Sequence, residues 1–373
     1  MKKLFGIACV LFCFLNFSIA AYAETAVDTS AVDALLAEID AQYEEYFGWN
    51  YFSNLWQGNA DVNMADIVTA LLELIRGEIR LNFSFLGKLL FLAILSAILG
   101  TLEEAFGESI GKMARLVVFF LAVLLVIEET KYLWSVANKA GEDLIAIMDA
   151  LLPIQLILML AAGGAATAGV LQPLYFWSIN VIGNLAKNML LPGIFFCLIL
   201  AIVNAMSEKY RLEKLQKLLK KVILSVFGGI NSLFLLIITL SGTSAAVGDS
   251  FGLRSLRYLA GNFIPVVGSF AADTAQMAAG GAIFLKNGVG FIGMFVIIWV
   301  AFLPGIKILL AGWGMKLVAA LIEPLGEKML CEMFQNVGEC VILLFWAVAL
   351  MGLVFFLSMV ILTALAQMIF MLR

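Results

Sequence analysis

From Phe83 onward the chain alternates long apolar runs with short polar interruptions. The runs fall at 83–102, 113–133, 144–163, 170–186, 189–206, 222–247, 288–306, 308–322 and 341–365. A helix needs about 20 mainly apolar residues to cross roughly 30 Å of hydrocarbon. The pattern therefore predicts an all-α, polytopic helical membrane protein. Two runs are weak: 113–133 is uninterrupted only over 116–127, and 308–322 is short and carries Lys316. Seven to nine spans are expected.

The amino end reads differently. Lys2 and Lys3, an apolar run from Leu4 to Ala20 and the small-x-small triplet Ala21–Ala23 predict a signal peptide over 1–23, cleaved after Ala23. Residues 24–82 then form an extracytoplasmic helical segment with eleven acids and only two bases, Arg76 and Arg80, which leaves it strongly acidic. Val32, Leu35, Leu36, Ile39 and Tyr43 lie at helical spacing, and a second amphipathic helix starts near Asn63. Between them, Tyr43–Trp56 holds seven aromatics, a density that suits a membrane-interface belt, a small aromatic core or a partner-binding surface. The polytopic domain follows at 83–373.

Two interruptions in that domain stand out. The first, 207–221, carries Lys209, Arg211, Lys214, Lys217, Lys220 and Lys221 against two acids, so the positive-inside rule makes it cytoplasmic. Leu212, Leu215, Leu218, Leu219 and Val222 share one helical face. The stretch reads as an amphipathic helix for docking anionic lipid or a cytoplasmic partner. Counting crossings from there places the acidic loop Glu323–Glu339 outside and Arg373 inside.

The second interruption, 242–293, holds ten of the chain's 32 glycines in an otherwise apolar region. Irregular backbone at membrane depth is tolerated only inside protein or beside a water-filled cavity. A broken or re-entrant element is expected, with Asn262, Pro265, Gly268, Asp273, Lys286 and Asn287 as residues that line a path or form a packing seam. Broken helices and intramembrane charge also suit a secondary transporter. The small-residue clusters Ala161–Gly169, Phe227–Ser232 and Ala278–Ala282 are material for close helix packing.

Composition narrows the chemistry. Hydrophobic residues make up 63%, mean hydropathy is +1.03, and the formal net charge is −4, so nothing favours nucleic acid as a partner. The chain has no histidine, which removes Ser-His and Cys-His dyads and HExxH zinc sites. No Gly-Lys-Ser/Thr phosphate loop is present. A non-enzymatic protein without a cofactor is the expectation. Of five cysteines, Cys9 and Cys13 fall in the leader, and Cys197 reads as a small buried hydrophobe. Cys331 and Cys340 are either two free thiols or a disulfide in an outer loop.

With these features in place, "LQPLYFW" (171–177), "LRYLAGNFIPVVGSF" (256–270) and "FLKNGVGFIG" (284–293) carry a resemblance. Over nearly its whole length the chain resembles the stage III sporulation protein AE family. The resemblance implies a multi-pass protein of the mother-cell-derived outer forespore membrane. Its implied partners are the sister stage III sporulation proteins AA to AH and, across the intermembrane space, stage II sporulation protein Q. The implied assembly is a secretion-like channel for forespore development. Apart from the resemblance, the small-residue clusters also suit packing against a second copy of the chain, a homo-oligomer. The resemblance brings no catalytic residues with it.

Overall fold

A computed structural model describes residues 64–106, 108–206, 212–263 and 267–371, with Asp33, Ala34 and Ala37; side-chain surroundings in 102–110 and 252–287 are outside it. The leader, the aromatic stretch, Lys209, Arg211 and Pro265 lie outside the described residues. Everything described in 64–371 builds long helices and the short turns between them. These are α1 (Met64–Phe106), α2 (Glu108–Ala161), α3 (Ala165–Leu185), α4 (Leu191–Met206), α5 (Glu213–Phe263), α6 (Val267–Ile322) and α7 (Lys328–Met371).

The connections follow from local chemistry. Between α2 and α3, Gly163 takes a left-handed φ of 92°, while Gly163 N–H donates to Leu160 O and Gly164 N–H to Met159 O. That paired pattern ends a helix, and glycine adopts its φ without a Cβ penalty. Gly326, at φ 79°, turns the chain in the same way between α6 and α7. A π turn, Ala186–Leu190, joins α3 to α4. Pro192, just beyond it, has no N–H to give the preceding turn, and a widened turn accommodates that loss without ending the run.

The helices pack as an antiparallel bundle around the α6–α7 hairpin, with α2 against both, α4 and α5 along α7, and α3 against α5 and α2. Backbones approach closely inside the hairpin. A Cβ on Gly338 would lie 2.8 Å from Gly312 O, and one on Gly352 would collide with Ala301. Large side chains such as Phe119, Phe334 and Phe355 fill the interior. Phe83, Phe91, Leu124, Leu233, Leu236 and Trp313 face outward, as side chains do when the surrounding solvent is itself apolar.

Six helical stretches among the described residues are long and apolar enough to cross a membrane: 75–101, 111–161, 165–206, 213–251, 288–325 and 328–369. The hydropathy pattern led us to expect seven to nine. Runs 113–133 and 144–163 share the unbroken α2, whose polar middle, Glu128–Asp143, stays helical. Runs 170–186 and 189–206 are joined by the π turn, and 288–306 and 308–322 lie on α6, which continues through Pro304. At 1.5 Å per residue the 54-residue α2 is about 80 Å long, far more than the hydrocarbon thickness of roughly 30 Å. The first span is the upper part of α1, which passes residues 82–83 without a break.

The merging of 288–306 with 308–322 changes the topology. Two helices, α5 and α6, now separate the basic segment from the acidic loop, so both lie at one end of the bundle. Lys220 Nζ and Glu339 Oε2, 2.8 Å apart, confirm it. The acidic loop therefore does not face the side opposite the lysines, and the carboxyl end of α7 lies at the far end. The basic segment also does not stand alone as a surface helix. From Glu213 it is the first part of α5, with Gln216 and Ile223 buried and Leu215, Leu218 and Val222 turned outward beside Lys214, Lys217 and Lys221.

This arrangement predicts the outcome of topology mapping. Reporter domains inserted after Met206 and fused after Arg373 should report opposite compartments, with the Met206 insertion cytoplasmic. The same compartment for both would contradict the six-span arrangement.

Candidate functional site: polar junctions within the bundle

In an apolar bundle the informative residues are the buried polar ones, because each must find a partner or carry a desolvation cost. Among the described residues, several of them gather into three junctions.

The first lies where α4, α5 and α7 meet. Asn204, near the end of α4, accepts the Leu212 N–H through Oδ1 at 2.7 Å, which satisfies a backbone donor at the start of α5. Its amide donates to Gln216 Oε1 at 3.2 Å. Gln216 is fully buried; its Nε2 reaches Cys197 O at 3.4 Å and Cys340 Sγ at 3.3 Å. One turn further, Lys220 pairs with Glu339, whose other oxygen accepts from Gln335 Nε2 at 3.4 Å. An amide chain and an ion pair thus fasten the first turns of α5 to its neighbours.

The second junction is at the opposite end. Asp249, on α5, accepts from Ala166 N–H and Thr167 N–H at 2.8 Å each, and from the Thr167 hydroxyl at 2.6 Å. These are first-turn donors of α3. The carboxylate caps that helix from another part of the chain, where the N–H groups have no intrahelical acceptor and the helix dipole favours negative charge. Gly164, the residue before α3, offers no side-chain cap of its own. Nearby, the buried Tyr175 hydroxyl donates to Ser358 O at 3.0 Å and its ring meets Phe234 edge-on, tying α3 to α7 and α5.

The third junction is a charged layer on α1, α2 and α6. Glu78, almost wholly buried, pairs with Lys307 at 2.8 Å. Glu129 stands within electrostatic reach of Glu78 and Lys88. Further along α2 and exposed at its surface, Glu142 pairs with Lys187 of the π turn at 2.8 Å, and Lys139 with Asp143 at 2.9 Å. A carboxylate–ammonium pair neutralises charge that would otherwise be costly beside apolar helices.

The residues expected from sequence fall into two groups. Asn262 lies on α5 and Gly268, Asp273, Lys286 and Asn287 on α6, both helical there; their side chains, like Pro265, are outside the described residues. Three glycines of the same stretch are tightly packed. A Cβ on Gly242 would strike Leu365, one on Gly290 would lie 2.6 Å from Thr363 Oγ1, and one on Gly293 2.6 Å from Leu151 Cδ1. They act as a packing seam. Gly228 and Gly229, expected to admit a neighbouring helix, have open space around them within this chain. Of the four described lysines in the basic stretch, Lys214, Lys217 and Lys221 are exposed, Lys217 pairs with Glu213, and Lys220 turns inward. Cys331 and Cys340 are both free thiols nine residues apart on α7, about 13 Å along a helix and beyond disulfide reach. Neither the capping role of Asp249 nor the amide chain of Asn204 and Gln216 was anticipated from sequence. The one local signal for Asp249 was an acid closing an apolar run next to Gly248.

These features define a class: a polytopic helical membrane protein whose buried polar groups lock long helices together. Comparison with known proteins makes the assignment specific. The profile of the stage III sporulation protein AE family matches residues 48–366. Stage III sporulation protein AE of Bacillus subtilis (strain 168) is 33% identical over 309 residues, covering 82% of this chain and 77% of that protein. The chain belongs to the stage III sporulation protein AE family, and with that membership comes a role in sporulation. No solved structure matches it.

Removing the α3 cap should be costly. Asp249→Ala leaves two N–H groups and a hydroxyl without their acceptor, a loss of about 2 kcal/mol. The thermal midpoint in detergent should fall by several degrees, with Asp249→Asn falling less. An unchanged midpoint would show that the cap contributes nothing.

Proposed function

We propose that this protein is a non-enzymatic membrane subunit of a trans-envelope, secretion-like channel complex between mother cell and forespore. Its place is the outer forespore membrane. The observation that carries this reading is family membership over 48–366, joined to helices that outlast the bilayer and so reach partners beyond it. On this reading the partners are the sister stage III sporulation proteins AA to AH and, through the assembly, stage II sporulation protein Q. Lys214, Lys217 and Lys221, exposed at one end of the bundle, suit anionic lipid or an acidic partner there.

A second reading, a stand-alone secondary transporter, draws on the buried Glu78–Lys307 pair with Glu129 beside it. Such charges among apolar helices mark ion or proton pathways in transporters. The two readings part on what the protein does alone.

Deletion in the host should stall development after engulfment, and an affinity-tagged copy should co-purify with sister subunits from sporulating cells. The purified protein in liposomes should move no small solute. Solute flux by the protein alone, with normal spores from the deletion strain, would favour the transporter.

A further inference from the structure

Cys197 and Cys340 stand out because each is completely buried and they come from different helices, α4 and α7. One side chain bridges the two residues: Gln216 Nε2 donates to Cys197 O at 3.4 Å and to Cys340 Sγ at 3.3 Å, which brings both cysteines to one spot. Two polar groups face the Cys340 sulfur, in a pocket where burial itself opposes charge. Gln216 Nε2 donates to it at 3.3 Å, and the Lys220 ammonium stands close by, held by the Glu339 carboxylate one residue before Cys340. A thiolate is the nucleophile of thiol–disulfide exchange, and donors with nearby positive charge stabilise it. A soft metal ion is disfavoured at the same spot, because an ammonium and an amide N–H face the sulfurs. Among the described residues no third cysteine, histidine or carboxylate completes a ligand set there. Cys331 is elsewhere, its thiol donating to Ala319 O at 3.3 Å.

We propose that Cys197 and Cys340 form a reactive dithiol that closes to an α4–α7 disulfide by exchange with a low-molecular-weight disulfide. The Cys340 thiolate attacks one sulfur of the reagent RSSR, forms Cys340–S–S–R and releases the first RS−. Cys197 then gives up its proton, its sulfur displaces the second RS− from Cys340, and the Cys197–Cys340 bond forms. The two protons leaving the thiols protonate the two RS− groups. Overall, two protein thiols and RSSR become one protein disulfide and two RSH. Both sulfurs lie beneath the first turns of α5, which contribute Gln216 and Lys220, so exchange requires those turns to open. The closed disulfide would bolt α4 to α7 at the junction where α5 docks.

The test uses full-length protein in native membranes exposed to 2-hydroxyethyl disulfide. Remaining thiols are then alkylated under denaturing conditions, and peptides are mapped by mass spectrometry. A Cys197–Cys340 cross-linked peptide should accumulate in the wild type and in Cys331→Ala, and dithiothreitol should reverse it. In Cys197→Ala, Cys340 should stop at the mixed disulfide with 2-mercaptoethanol. In Cys340→Ala, Cys197 should react roughly tenfold more slowly, having lost the activated partner. Absence of the cross-linked peptide in the wild type would overturn the proposal. So would pairing of either residue with Cys331, or protection that a chelator releases and dithiothreitol does not. The wild-type map stands even where an alanine variant folds poorly.

Discussion

A polar side chain among apolar helices has no water to fall back on, and that constraint organises this bundle. Its strongest expression is where α5 begins. Asn204 satisfies the Leu212 N–H, Gln216 spans from Asn204 to Cys340, and Lys220 reaches Glu339. Each contact is modest alone, about 1 kcal/mol net for a neutral hydrogen bond. Breaking one strands a buried partner, which costs more than the bond contributes, so the group acts as a unit. Because it joins α5 to both α4 and α7, it decides which helix ends lie together. Asp249 does the same at the other end by closing α3. Between these two fastenings the glycine contacts of α6 and α7 set how near the backbones come.

The helical membrane class was legible in the sequence, since a water-soluble chain rarely carries apolar runs of spanning length one after another. The helix ends were less so. Residues 134–143 read as the connection between two runs, within a stretch, Glu128–Asp143, that holds six charges, yet the backbone stays helical where Glu142 finds Lys187 and Lys139 finds Asp143. Those partners are four residues away in one case and forty-five in the other, and a hydropathy window sees neither. The same blindness to tertiary pairing hid Glu78, which sits in an acid-rich stretch and reads as a surface group. The basic helix was recognised, but its inward contacts were not. Spacing put Leu215 and Leu218 on an apolar face toward lipid or a partner, and both are exposed, but it gave no sign that Gln216 and Lys220 turn inward, to Asn204, Cys340 and Glu339.

Family membership and geometry fit a single picture. A protein with a role in sporulation presents long apolar flanks to its surroundings and pairs several of its charges between helices. Gly228 and Gly229, open on the flank of α5, are not used for packing within the chain. The tight seams instead run through α6 and α7, which makes that hairpin the rigid axis and α1 and α5 the outer members.

The central claim is that Lys220 and Glu339 meet at one end of the bundle and hold α5 to α7. A charge-reversal pair tests it most directly, with thermal unfolding of the purified protein as the readout. Lys220→Glu and Glu339→Lys should each lower the midpoint by placing like charges together. The double reversal should recover most of the loss, a coupling of about 1–2 kcal/mol. Strictly additive losses in the double variant would contradict the account.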